Sequence, residues 1–415
     1  MLNIKKIGLI LLFMSSKLAF GQLVMSLDQI LEEIKSKNVG LKAYDNRIQS
    51  KDAKVDGAGA WMAPMVGAGT FMTPYPFQGM LGENDRGALM ISAEQDIPNP
   101  AKVKAKREYL EAQSLSDVFA QSELFNQYKA RARQLYLGLL IDYKKITYQE
   151  ENKRIMETMK KLAEIRYPFN QGGLNQVFKA EGRSFESENM ILMTESSMRS
   201  KKIALNTLMN RSADMDFQID TSFKVVFVPK ADLDTAYFAS SRSDILHMEH
   251  EINAMKKNIV LMKQEAKPDF RLRFDHMSNY STMMPRQFTV MAMLSIPIVP
   301  WASKMYKSEI KSMSFEQEAM RQQKSAMLTD LLGMSRSMEN ELFAMQKQLA
   351  NYEQKIVPSL QKYLKVSILS YQENKSDLNT VIDGWEALNM AQMNYLNQLE
   401  KYYQMIVDYE KNIER

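Results

Sequence analysis

The chain of 415 residues contains no cysteine. That excludes disulfide frameworks, cysteine-ligated zinc, thiol nucleophiles and an N-terminal lipid-modified cysteine. Histidine is scarce, with only His247, His250 and His276 in the whole chain. No metal-ligand cluster, nucleophile–base constellation or phosphate-binding glycine loop is visible, so the sequence offers an enzyme no support and implies no cofactor. Long hydrophobic runs are missing as well. No stretch approaches the ~18 apolar residues that a membrane-crossing helix requires. A chain of this kind that enters a membrane does so as a barrel, the other structure that satisfies every backbone polar group in lipid. Nor is there a large excess of one charge. Lys and Arg number 54 against 49 Asp and Glu. Lys5, Lys6 and Lys17 lie in the first 21 residues, which hold no acid, so the remainder is nearly neutral. That argues against nucleic acid as a partner. With 45% hydrophobic residues the chain has enough apolar surface to fold.

What is present begins with a leader. Lys5 and Lys6 precede the apolar run from Ile7 to Met14, and Ala19-Phe20-Gly21 follows, just before Gln22. A charged start, a short apolar stretch and a small-x-small site make a secretory signal peptide. Residues 1–21 are therefore read as removed on export, with Gln22 opening the mature chain.

Most of the rest is helical by pattern. Ser26 and Gln29 form a capping box ahead of Leu27, Ile30, Leu31 and Ile34. Ile245, Met248, Ile252, Met255, Ile259 and Met262 step as a coiled-coil seam. From Pro100 to Arg166 there is no proline after the first position and only one glycine, Gly138. At 1.5 Å per residue that helix reaches roughly 100 Å, which suits a bundle or tube. Ala302 to Ser370 reads the same way, with Pro358 late in it.

Two regions break the helical pattern, 64–98 and 268–297. Each reads as a hairpin of strands about ten residues long, the length of a tilted membrane strand. Phe270, Leu272, Phe274 and His276 alternate with Arg271, Arg273 and Asp275, apolar on one face and polar on the other. Val290, Ala292, Leu294 and Ile296 alternate with Thr289, Met291, Met293 and Ser295 on the return strand.

These elements are written twice. Pro64 and Pro268 are 204 positions apart, as are Tyr167 and Tyr371. The same offset carries Leu174-Asn175 and Val177 onto Leu378-Asn379 and Val381. The first repeat spans 22–212 with hairpin 64–98 and tip 167–177. The second spans 230–415 with hairpin 268–297 and tip 371–381. They join through 213–229, where Phe223 to Val228 reads as a short strand.

A leader followed by two copies of helix, β-hairpin, long helix, tip and helix resembles the TolC-type outer-membrane channel family. The resemblance covers essentially the whole mature chain. It rests on the strand entries Pro64 and Pro268-Asp269-Phe270, on the exits Gln95-Asp96-Ile97-Pro98 and Ser295-Ile296-Pro297, and on the two tips. At the second tip Asn374-Lys375 stands where the family usually has glycine. Asn tolerates left-handed backbone, so the turn should survive. The β-region sequences also resemble the heavy-metal efflux branch.

The resemblance implies a mostly α fold with a membrane β-barrel contribution. In it a homotrimer builds a twelve-stranded barrel that continues as a long α-helical periplasmic tube. It implies an exit duct of a tripartite pump, moving small substrates such as monovalent metal ions or drugs to the exterior. Its partners are a periplasmic adaptor, an inner-membrane pump of the RND type and outer-membrane lipid. The alternative is an exported coiled-coil scaffold of the envelope, with the hairpins as corners.

Particular residues follow. Gly172, Gly173, Leu174 and Asn175 at one tip, and Asp377, Leu378 and Asn379 at the other, are the expected adaptor-docking ends. Acidic residues just past the second tip constrict the entrance in the family. Asp383 matches one such position, and Thr380 occupies another that is usually acidic. Trp61 and Trp301 flank the β regions as an expected membrane-interface girdle. His247 and His250 are spaced to share a metal, but neither a third ligand nor the seam includes them, so a solvated face is the reading.

The 33 methionines divide. Met313, Met320, Met327 and Met334, continued by Met338 and Met345, recur as a packing seam. Those around the barrel (Met62, Met65, Met72, Met80, Met277, Met283, Met284, Met291, Met293) are less easily core. Thioethers favour Cu(I) and Ag(I), so Met283 and Met284 are candidate transient contacts for an exported soft metal.

Overall fold

Ser26 caps the first helix as its sequence requires. Its hydroxyl accepts from the Gln29 amide, and the Gln29 side chain accepts from the Ser26 amide. Helix α1 (Leu27–Lys37) then buries Leu27, Ile30 and Ile34 along one face. The computed structural model describes residues 24–75, 82, 86–169, 172–223, 225–281, 283–297 and 299–414. The leader, Pro76, Gly79 and Met80 lie outside them.

The chain forms two compact units. One takes residues 42–123 and 234–331, the other the described parts of 1–41, 124–233 and 332–415. Each draws on both sequence repeats, because helices α3 (Pro100–Arg166) and α7 (Pro300–Asn351) belong partly to each.

The first unit holds the sheet. After helix α2 (Val39–Asp56) come β2 (Met65–Phe71) and β3 (Ala88–Ile97), and β5 (Asp269–Asn279) and β6 (Gln287–Ser295) form the second hairpin. All pairing is antiparallel in the order β2-β3-β5-β6. The two hairpins join through β3 and β5, from Ala88 opposite Asn279 to Ile97 opposite Phe270. Strand β2 has 7 residues, shorter than the expected ten, whereas β5 has 11. Gly87 ends the first loop at φ +79, where an added Cβ would sit 2.9 Å from Thr73 Cα, so only glycine fits that turn. After the short helix α5 (Thr235–Ser241), helix α6 (Ser243–Gln264) buries Ile245, Ile252 and Ile259 of the expected seam, and the intervening methionines are half-buried. Along α7, Met313, Met320 and Met327 are half-buried too, while Met334 is exposed.

The second unit is helical apart from a two-residue parallel bridge. It pairs β1 (Val24–Met25) with β4 (Gln218–Ile219). The strand expected at Phe223 to Val228 does not form, and the described residues there are irregular. Their aromatics are used as plugs instead. Phe227 packs edge-on against Phe343 and Tyr409, and Phe223 against Tyr136. That burial holds the segment without a ladder.

The second long helix is also broken. A π turn at Tyr352–Ile356 separates α7 from α8 (Val357–Gln372). Pro358 has no N–H, and its ring would crowd the carbonyl four residues earlier, so a wider turn ahead of it relieves the clash. Helices α4 (Leu174–Leu208) and α9 (Leu378–Asn412) complete the unit.

Within this unit α3, α4 and α9 are tied by half-buried charges around the buried Asp142. Lys201 Nζ lies 2.7 Å from Asp142 and 3.4 Å from Glu400, and Lys145 lies 2.9 Å from Glu400. Burial pushes the Glu400 carboxyl up, and the two ammonium groups more than offset it, so its pKa falls below the usual carboxylate value. A depressed carboxylate contributes stability above its unfolded pKa and loses it as pH falls through the folded one. Glu400→Gln should therefore cost about 1–3 kcal/mol at neutral pH. Melting curves taken from neutral to acid pH should show a smaller acid loss for the variant than for the parent.

Candidate functional site

Two places gather the residues singled out from the sequence: the sheet faces in the first unit and the helix tip in the second.

Directly paired residues share a face, so the register sorts the sheet. One face carries Val66, Ala68, Leu89, Ile91, Phe270, Leu272, Phe274, Phe288, Val290 and Leu294. These large side chains are exposed, Phe274 at 44% and Phe288 at 70%, and the two rings stack at 6.1 Å. His276, near the hairpin loop, and Gln95, whose amide donates to Met62 O and Asp96 O, are the polar exceptions of note. The opposite face is charged. Arg271 pairs with Asp96 at 2.6 Å and Glu94 at 2.8 Å, and Arg273 pairs with Asp275 at 2.9 Å. The alternation expected for β5 extends to β3 and β6, whereas β2 places Met65, Gly67, Gly69 and Phe71 on the charged side. The outer edges of β2 and β6 have no strand partner among the described residues.

Trp61, just before β2, and Trp301, in the first turn of α7, adjoin the same end of this sheet and are exposed at 63% and 80%. His247 Nδ1 lies 3.2 Å from Glu123, and His250 stacks on Phe119 at 4.3 Å. The two rings have separate partners and do not form a ligand pair. Met283 and Met284 are exposed in the β5–β6 loop.

At the tip the two repeats build matching turns. Gly173 caps α4 at φ −86, ψ 151, and Asp377 caps α9 at φ −86, ψ 154. Asn374 takes φ +60, the left-handed position that a family glycine would fill. Two cross-links join the turns, Gln176 donating to Asp377 and Lys179 to Asn379 at 3.0 Å, and within the second turn Asn379 donates to Asp377 at 2.7 Å.

The copies differ in burial. Leu378 is fully buried in a cluster with Tyr371, Val381, Ile382 and Trp385, whereas its repeat partner Leu174 is 44% exposed. Leu378 thus offers no surface to a partner in this chain. Asp383, on the first turns of α9, is exposed, and Thr380 is half-buried.

Three tip residues had no signal in the sequence. Arg166 donates to the carbonyls of Tyr371 at 2.6 Å and Gln372 at 2.8 Å, and its guanidinium stacks 4.3 Å over the Tyr371 ring. Trp385 donates to Asn152 O at 3.2 Å. Glu386 pairs with Arg183. Their positions lack counterparts under the 204-residue offset, because each works between helices rather than within a repeat.

No protein-family model and no curated protein matches the chain by sequence. Solved structures do match its fold. The CusC channel superposes with a TM-score of 0.77 at 15% identity, over 94% of this chain and 92% of that one. The outer-membrane channel OprN gives 0.76 at 14% identity, over 93% and 89%. The outer-membrane protein VceC of Vibrio cholerae gives 0.73 at 14% identity, over 93% and 95%. The chain therefore has the fold of the TolC-type outer-membrane channels, as its motifs led us to expect.

Proposed function

We propose that three copies of this chain form an outer-membrane exit duct for an export system. The observation that carries this reading is the sheet: one face apolar and exposed, the other charged, and both edges open. An apolar face left in water would be costly, and lipid is the solvent that accepts it. Open edges invite pairing, and three-fold repetition of a four-stranded sheet closes twelve strands with none left free. The apolar face then meets lipid, and the charged face lines the lumen. Trp61 and Trp301 stand at the inner interface. The fold shared with CusC, OprN and VceC supports the same reading. Among the described residues no helix is long and apolar enough to cross a membrane.

In this reading the helical unit is periplasmic. Its tips are where an adaptor joins the duct to an inner-membrane pump of the RND type. Leu174 and its flanking residues Gly172, Gly173 and Asn175 supply the accessible part of that surface, with Asp377 and Asn379 beside them. Transport of this kind passes solutes without chemistry.

In this reading Asp383 lines the entrance. It lies about one and a half turns into α9, exposed and without an ion-pair partner among the described residues. Three-fold symmetry would gather its copies into a carboxylate ring, which attracts cations and disfavours anions. Thr380, one turn earlier, leaves the ring less acidic than two carboxylates would. In planar bilayers the parent should conduct with cation preference. Asp383→Asn should weaken that preference and the block by multivalent cations, and Asp383→Lys should move selectivity towards anions. Parent protein that inserts without conducting would overturn the duct. Variants that select ions as the parent does would show that Asp383 faces away from the lumen.

A further inference from the structure

The strand methionines are not scattered over the sheet. Met65, Met90, Met277, Met291 and Met293 all lie on the charged face. The apolar face carries none, although Met would suit lipid as well as Leu. In register, Met90 stands opposite Met277. Met65 and Met291 end the row that runs through Glu94 and Arg273, and Met293 stands opposite Arg271. Met65 is 53% exposed and Met291 43%, so neither is filling a packed core. A thioether on a wetted, charged face buries little area. What its sulfur does offer there is a soft ligand.

Charge on the same face agrees. Glu94, Asp96, Asp269 and Asp275 stand against Arg271 and Arg273, both held in ion pairs with these acids, and against Lys102 of α3, which pairs with Asp269 at 2.8 Å, so the acids exceed the cations by one. The face therefore carries a surplus of carboxylates beside neutral sulfur. That combination favours a soft cation over an anion or a hard ion.

We propose that this face is a thioether ladder for soft monovalent cations such as Ag(I) and Cu(I). Its rungs follow the pore axis. Met293 lies nearest the helices, and the Met65–Met291 row comes roughly 7 Å further at 3.3 Å per residue. The Met90–Met277 row lies about 13 Å beyond that. Met283 and Met284 in the adjoining loop continue the series outward. One or two sulfurs per row bind weakly enough for the ion to leave, as conduction requires. This rests on the barrel reading above, which makes the charged face the lumen.

The test uses the full chain purified in detergent and titrated with silver nitrate in chloride-free buffer, with potassium and magnesium nitrate as hard-ion probes. The fivefold variant M65L/M90L/M277L/M291L/M293L keeps side-chain volume and removes sulfur. It should lose most of the silver bound by the parent. A control variant, M313L/M320L/M327L on helix α7, should keep it. Should the fivefold variant fail to form the parent's oligomer, the pair M90L/M277L replaces it and should show a partial loss. Equal silver binding by parent and strand variants, or equal loss in the helix control, overturns the ladder. Conductance of the same samples in planar bilayers separates the two readings. Conducting channels with unchanged silver binding sink the ladder alone. Silver binding lost in the variant, with no conductance even in the parent, sinks the duct and the lumen assignment with it.

Discussion

Phe274→Lys should strip the protein from the outer membrane, while Thr289→Lys, on the neighbouring row of the other face, should leave it there. Phe274 sits mid-strand in β5, stacked on Phe288 and exposed on the apolar face. In a lipid-facing position near the bilayer midplane a lysine costs about 2–4 kcal/mol. Three copies in one barrel would raise that to roughly 6–12 kcal/mol, comparable to the whole stability of an ordinary domain. Thr289 pairs with Asp275 on the charged face, where a lysine meets water and carboxylates. The measurement is the fraction of each variant recovered in the outer-membrane pellet and as trimer on electrophoresis. Equal recovery of the two variants would favour the rival scaffold, for which neither face meets lipid.

Leu378→Asp and Leu174→Asp should behave oppositely, although the repeat makes the two positions equivalent. Leu378 is fully buried against Val381, Ile382 and Trp385. An aspartate there leaves a cavity and an unpaired polar group, at a cost of at least about 3 kcal/mol. The tip should open, and limited proteolysis should cut between α8 and α9. Leu174 is exposed, so its replacement should change stability by less than about 0.5 kcal/mol. It should instead abolish adaptor crosslinking and export while trimers remain in the membrane. Crosslinking that survives Leu174→Asp would remove this tip from the docking surface. An intact, protease-resistant tip in Leu378→Asp would show that the cluster is less closed than it stands here.

Much of this molecule was legible along the chain because its elements are long and strictly periodic. The helix from Pro100 to Arg166 ends where the residues said it would, and the capping box at Ser26 and Gln29 formed. The β5 alternation named its own two faces. Shorter signals did less well. Phe223 to Val228 has strand composition, yet its aromatics found cores to fill, and packing outweighed propensity. Pro358 announced a disturbance without saying that a π turn would absorb it.

The chain's periodicity and self-similarity determined which segments are helix and strand, that they occur twice, and that one strand face is polar, since these depend on neighbours a few residues apart. The tertiary structure alone decided which copy of each repeated residue is buried. Tyr371 lies beneath Arg166, and Leu378 sits inside the tip core, while Leu174 stays outside. Register across the two hairpins likewise decided that methionines from all four strands share the charged face. Both outcomes come from contacts between residues far apart along the chain, which two similar segments make with different neighbours.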